Sequence, residues 1–154
     1  MDNTGIVVTN SPEETIEAAS KIAKALKGGD LIALIGQLGT GKTVFVKGIA
    51  KGLGISDHLY VNSPSFVVLK EYSGDKDLYH FDVYRLEPES FCETMDYEKY
   101  FYGDGITVVE WADKVQEILP DEYLKVKLSH ENGNKRRFEF FGVGERFKKI
   151  VDAL

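Results

Sequence analysis

The sequence predicts an α/β fold: one central sheet of mixed parallel and antiparallel strands, flanked by helices. Three observations carry this. Leu31-Ile32-Ala33-Leu34-Ile35 and Ile106-Thr107-Val108-Val109 are short, almost wholly apolar runs, as strands buried on both faces read. Helical periodicity follows the first, with Phe45, Val46, Ile49, Ala50 and Leu53 on one face over residues 44–53. Two pairs of alternating segments are joined by turn residues, which adds antiparallel hairpins.

The elements follow in order. Residues 6–8 predict a short strand. Ser11 then stands as the N-cap of a helix, with Pro12 at its first position and Glu14 closing a capping box. Ile16, Ala19, Ile22, Ala23 and Leu26 share one face, and Gly28-Gly29 supplies the stop. Residues 66–72 and 78–84 predict strands around the turn Ser73-Gly74-Asp75-Lys76. Residues 88–102 predict a helix with an aromatic face. Its Tyr97, Tyr100, Phe101 and Tyr102 are either a partner contact or a helix packed on the sheet. Residues 112–119 predict a short helix stopped by Pro120. Residues 123–128 and 137–140 alternate about Asn132-Gly133, and Phe147, Ile150, Val151 and Leu154 mark a last amphipathic helix.

Residues 1–154 predict a single domain with one core. The 43% hydrophobic and 29% charged content is that of a water-soluble globular chain. A net charge of −6 argues against strong non-specific nucleic-acid binding, which draws its affinity from neutralising phosphates. Cys92, the one cysteine, excludes an internal disulfide. No secretory leader or spanning run is evident, so the cytoplasm is the expected location and no membrane is expected.

Gly36-Gln37-Leu38-Gly39-Thr40-Gly41-Lys42-Thr43 matches the phosphate-binding pattern G-x-x-x-x-G-K-[ST], between a buried strand and a helix. Gly36, Gly39 and Gly41 let the backbone curl so that its N–H groups, Thr40's included, point inward at an anion. Lys42 then meets the β- and γ-phosphates, and Thr43 offers its hydroxyl to Mg²⁺. This makes the predicted architecture a phosphate-loop NTPase fold.

Such a loop needs a carboxylate near the metal. Glu110 follows the second buried run and emerges at the strand's C-terminal edge, where ligands bind in open α/β sheets. In Leu78-Tyr79-His80-Phe81-Asp82-Val83-Tyr84-Arg85 the period of two puts His80, Asp82 and Tyr84 on one face. Asp82 is placed to hold a metal-bound water or orient the attacking one. Arg85 either supports charge on the transferred phosphoryl group or makes a surface salt bridge. Trp111 is either a rim residue over the nucleotide or core. Ser65, in Ser63-Pro64-Ser65-Phe66, is a candidate sensor of the γ-phosphate or metal.

Taken together, the phosphate loop, Ser63-Pro64-Ser65-Phe66, His80-Phe81-Asp82-Val83-Tyr84-Arg85 and Val109-Glu110-Trp111 resemble the TsaE (YjeE) family of bacterial ATPases. The resemblance implies a magnesium-dependent ATPase that acts with TsaD and TsaB in threonylcarbamoyl modification of adenosine beside the anticodon. The tRNA is met only through that complex. By resemblance, Lys42 and Thr43 hold phosphate and Mg²⁺, Glu110 completes the metal site, Asp82 assists hydrolysis and Trp111 lines the nucleotide pocket. Asn10 lies near the base. Two positions depart from the family. Gln37 stands where a shorter acid or its amide is usual, and Ser65 where threonine is commoner.

Other readings share the loop. A small-molecule kinase is the enzymatic rival, and a nucleotide-dependent binding module with negligible turnover is the rival from another class. No N-K-x-D element supports a GTPase. No arginine of the chain is placed by the sequence to act as a finger, so hydrolysis in isolation is expected to be slow. Oligomeric state is not fixed, with a monomer as the expectation.

Overall fold

The apolar runs become the middle of a seven-stranded sheet. The computed structural model describes residues 4–37, 41–62, 64, 68–87, 89–91 and 96–154. The strands are β1 (Thr4–Thr9), β2 (Leu31–Ile35), β3 (Leu69–Tyr72), β4 (Leu78–Asp82), β5 (Ile106–Glu110), β6 (Tyr123–His130) and β7 (Arg136–Val143). The α-helices are α1 (Pro12–Lys24), α2 (Lys42–Gly52), α3 (Tyr97–Phe101) and α4 (Glu145–Asp152). Strand order is β1-β7-β6-β2-β5-β4-β3. β6, β2, β5 and β4 are mutually parallel neighbours. β3, β7 and β1 join antiparallel to their neighbours. Thus β1, β2, β4, β5 and β6 point the same way, and their C-terminal ends share one edge. The mixed sheet flanked by helices is the architecture the patterning predicts.

Two apolar layers cover the sheet. On one side α1, α2 and α4 pack on Ile32, Leu34, Val108, Val126 and Phe140. On the other, Phe91, Phe101, Ala112 and Val115 pack on Leu31, Ala33, Phe81 and Val109. Helix α1 starts as its cap predicts: Ser11 Oγ accepts the Glu14 N–H at 3.1 Å. The Glu14 carboxylate accepts from the Asn10 N–H, one residue before the N-cap. Helices α1 and α2 meet through small residues. A Cβ on Gly48 would lie 2.5 Å from Ala19 Cβ, so only glycine permits this approach. The contact fixes the start of α1 beside the start of α2, although an interior glycine costs a helix about 1 kcal/mol against alanine. Arg146 of α4 bonds Asp30 Oδ1, which ties the C-terminal helix to the turn entering β2.

Several boundaries differ from the expectation. Helix α1 stops at Lys24, before Gly28-Gly29, with Ala25 as a right-handed C-cap. Val68 has φ 71, which breaks extended backbone, so β3 begins only at Leu69. β4 ends at Asp82 because Asp82 Oδ1 accepts the Tyr84 N–H at 2.9 Å, a side-chain turn that bends the chain. Tyr84 therefore leaves the strand and does not continue the face of His80 and Asp82. The helix expected over 88–102 is not one continuous element among the described residues: 89–91 are helical, and α3 covers Tyr97–Phe101. Phe91 and Phe101 both pack edge-on against Phe81, so the aromatic spacing serves two short pieces on one cluster. Of the four aromatics offered as a partner surface, Phe101 is buried and Tyr97 and Tyr100 are partly buried, leaving Tyr102 exposed. Packing on the sheet is thus what three of them do. The segment Ala112–Ile118 is two 3₁₀ turns that meet at a kink at Val115, and its buried Ala112 and Val115 pack on the Phe81 and Val109 side of the sheet. Gly39, Thr40, Ser63, Ser65, Phe66 and Cys92 lie outside the described residues.

Candidate nucleotide site

The C-terminal ends of β4 and β5 and the segment after β2 open onto one cavity of about 570 Å³, within the range of small-molecule sites. From the β2–α2 connection come Gln37, Gly41, Lys42, Thr43 and Val44. β4 and its turn supply Asp82, Tyr84 and Arg85, and β5 supplies Glu110 and Trp111. Ser11, Pro12 and Thr15 line it from α1, and Asn134 and Arg136 from the β6–β7 hairpin.

The start of α2 suits an anion. Its N-cap, Gly41, has φ 99, a left-handed conformation that a β-carbon disfavours. Gly41 offers no side-chain cap, and the first turn holds no acidic residue. Among the described residues no side chain caps the helix N–H groups, and the positive end of the dipole lies at the cavity. Lys42 is buried at this point, and its Nζ donates to the carbonyls of Gly36 and Gln37, at 2.5 and 3.1 Å. Burial pulls the ammonium below the ordinary lysine range, and the charges of Glu110, Asp82 and Asp113 pull it back up. A cation buried beside two acids fits a group that exchanges backbone carbonyls for phosphate oxygens.

Asp82 and Glu110 are 3% and 2% exposed, and sit side by side on parallel strands. Two carboxylates this close are costly without a cation between or beside them. Glu110 Oε2 accepts from His80 Nε2 at 2.6 Å, and His80 is fully buried. Trp111 takes φ 64 directly after Glu110, and this turn lays its indole 4.0 Å from Lys42 Nζ and against Tyr84. The chain's two non-glycine residues with positive φ, among those described, are Val68 and Trp111. Val68 accepts the Asp82 N–H through its carbonyl, so both strained positions hold the segments that carry the acids.

The oxygen donors available suit magnesium. Thr43 and Glu110 line the same cavity, and no group of three or more His, Cys, Asp or Glu among the described residues could cage an ion. Magnesium is held in that manner: one or two protein oxygens, with phosphates and water completing its shell.

The structure gathers Lys42, Thr43, Gly41, Asp82, Glu110 and Trp111 into one lining. Gly36 contributes its carbonyl to Lys42. Asn10 lies one residue outside the lining, which reaches Ser11. The β6–β7 hairpin forms as its turn residues predict, but that it reaches the site was not expected from the sequence. Arg136 passes within 3.7 Å of where a Cβ on Gly41 would sit, so an arginine of the chain does lie against the phosphate loop. The alternation and Asn132-Gly133 mark the hairpin itself; that β6 lies beside β2 and parallel to it is what brings the hairpin to this edge.

Comparison with known proteins points to one family. Residues 9–138 match the family described as "Threonylcarbamoyl adenosine biosynthesis protein TsaE". The chain is 44% identical over 147 residues to the tRNA threonylcarbamoyladenosine biosynthesis protein TsaE of Bacillus subtilis, spanning 95% of this chain and 90% of that one. Identity to the Aquifex aeolicus protein of the same description is 39% over 132 residues, 85% and 92% of the two chains. The crystal structure of Bacillus subtilis YdiB superposes with a TM-score of 0.80 at 35% identity, covering 99% of this chain and 95% of that one.

Proposed function

The chain belongs to the TsaE family, and on that premise we propose that it is a magnesium-dependent ATPase serving threonylcarbamoyladenosine formation in tRNA with TsaD and TsaB. The observation that carries the chemistry is the burial of Lys42, Asp82 and Glu110 around one cavity at an uncapped helix start. Buried charges are retained where a ligand compensates them.

In this reading the loop backbone and Lys42 bind the β- and γ-phosphates. Thr43 and Glu110 hold magnesium, which when bound neutralises charge on the phosphate oxygens. Asp82, kept in place by its turn to the Tyr84 N–H, orients the attacking water. Arg136 and Ser11 lie on the β7 and α1 side of the loop, away from the acids on β4 and β5, and so face the rest of the nucleotide. Ser65 and Thr40 belong to the phosphate end by the family pattern, and Asn10 to the base end.

Hydrolysis is gated by the partners. Arg85 is exposed at the rim, and closure over the γ-phosphate falls to a docked protein. No helix among the described residues is long and apolar enough to cross a membrane, and the cytoplasm is the proposed location. The test is phosphate release from ATP by the chain alone and with TsaD–TsaB. Slow release alone and at least ~10-fold stimulation by the pair is expected. Fast release in isolation, or phosphoryl transfer to a small alcohol in place of free phosphate, would contradict the reading.

A further inference from the structure

We propose that His80 is a positioning residue for Glu110, fixing which carboxylate oxygen the magnesium site receives. The inference rests on the assignment of Glu110 to that site. The geometry begins with register. β4 and β5 are parallel, with His80 opposite Val108 and Asp82 opposite Glu110. His80 and Glu110 therefore stand on one face, displaced diagonally by two residues, a separation that long side chains bridge. The imidazole spans it, and Nε2 meets Glu110 Oε2 at 2.6 Å.

That bond selects. A carboxylate has two oxygens, and His80 occupies Oε2, leaving Oε1 for the cavity that Glu110 lines. It also removes a rotation that Glu110 would otherwise use to swing away from Asp82, its like-charged neighbour.

The other ring nitrogen gives the second observation. His80 Nδ1 is buried with no hydrogen-bond partner, and it is the one such side-chain atom among the described residues. Buried donors are rarely left unpaired, whereas a bare acceptor is tolerated more often. The proton is thus assigned to Nε2, where the carboxylate is. A histidine kept for packing alone would be replaceable by an apolar ring. The one polar partner of this buried ring among the described residues is a carboxylate of the site. Partners that orient a metal-binding carboxylate typically tune affinity by 10–100-fold.

The experiment uses Trp111, the only tryptophan, whose indole sits on Lys42 and so reports the phosphate site. Fluorescence is followed with ATP in chelator, and then with magnesium added at fixed ATP. His80→Leu, which fills the space without a donor, is expected to weaken the apparent magnesium affinity at least ~10-fold while metal-free ATP binding stays within about twofold. His80→Gln, whose amide reaches the Nε2 position, should recover most of the loss. His80→Asn, equally polar but too short, should not. The Gln and Asn pair decides the matter even where His80→Leu fails to fold. Equal magnesium affinity in Gln and Asn variants would overturn the proposal. So would wild-type magnesium affinity in a folded Leu variant. If the wild-type chain binds ATP with no response to magnesium, the metal site itself is wrong, and this inference falls with it.

Discussion

Lys42→Ala is expected to weaken ATP binding by ~10²-fold or more, to the point of vanishing in ordinary calorimetric titrations. A charge-assisted hydrogen bond contributes about 1.5–3 kcal/mol, and each 1.4 kcal/mol is tenfold in affinity. Lys42 would make such bonds to two phosphates from a site where burial has already removed its water. Its Nζ meanwhile donates to the Gly36 and Gln37 carbonyls, which ties the start of α2 to the residues that follow β2. Lys42→Met is the sharper variant. It keeps an apolar chain of similar length and deletes the ammonium, with its place over Trp111 and its two carbonyl bonds. Calorimetry is preferable to fluorescence here, because either change alters the surroundings of the indole. ATP affinity equal to wild type in both variants would refute the phosphate assignment.

Removing one acid should separate turnover from binding. Asp82→Ala and Glu110→Gln are each expected to lower partner-stimulated hydrolysis by ~10²–10³-fold, as loss of one preorganised electrostatic group does. Metal-free nucleotide affinity should change far less, because neither acid is assigned to the phosphates. Glutamine at 110 keeps an oxygen for His80 and turns its NH2 to the metal side, so it removes the charge and the magnesium ligand without dismantling the His80 bond. Each acid is buried beside the other, and removing one also relieves repulsion. Both variants should therefore remain folded. Single-turnover phosphate release in the presence of TsaD–TsaB measures the effect. Full turnover in both variants would dismiss the pair as the catalytic acids.

The chain announces its sheet and its loop but not their arrangement. Leu31-Ile32-Ala33-Leu34-Ile35 reads as a buried strand because both its faces are covered, and the structure covers both. Ser11 and Glu14 read as a helix start because capping is local chemistry. Asp82 and Glu110 were placeable at strand ends for the same reason. Which strands lie side by side is not local. That Arg136 reaches Gly41 depends on β6 choosing β2 as its neighbour, and no periodicity encodes that choice. The His80–Glu110 bond joins residues thirty positions apart through the β4–β5 register, and it was equally hidden. Helix lengths were misread where tertiary packing replaced continuity. Phe91 and Phe101 serve one aromatic cluster from two segments, which a single helix over 88–102 would also have satisfied on paper.

One cavity is proposed to receive a polyphosphate between the start of α2 and two neighbouring acids. A crystal structure of the chain with magnesium and a nonhydrolysable ATP analogue tests it most directly. Phosphates are expected against the α2 N–H groups and Lys42 Nζ, with magnesium next to Thr43 and on the Glu110 side. A nucleotide bound elsewhere, or phosphates in place with the metal far from Glu110, would contradict it.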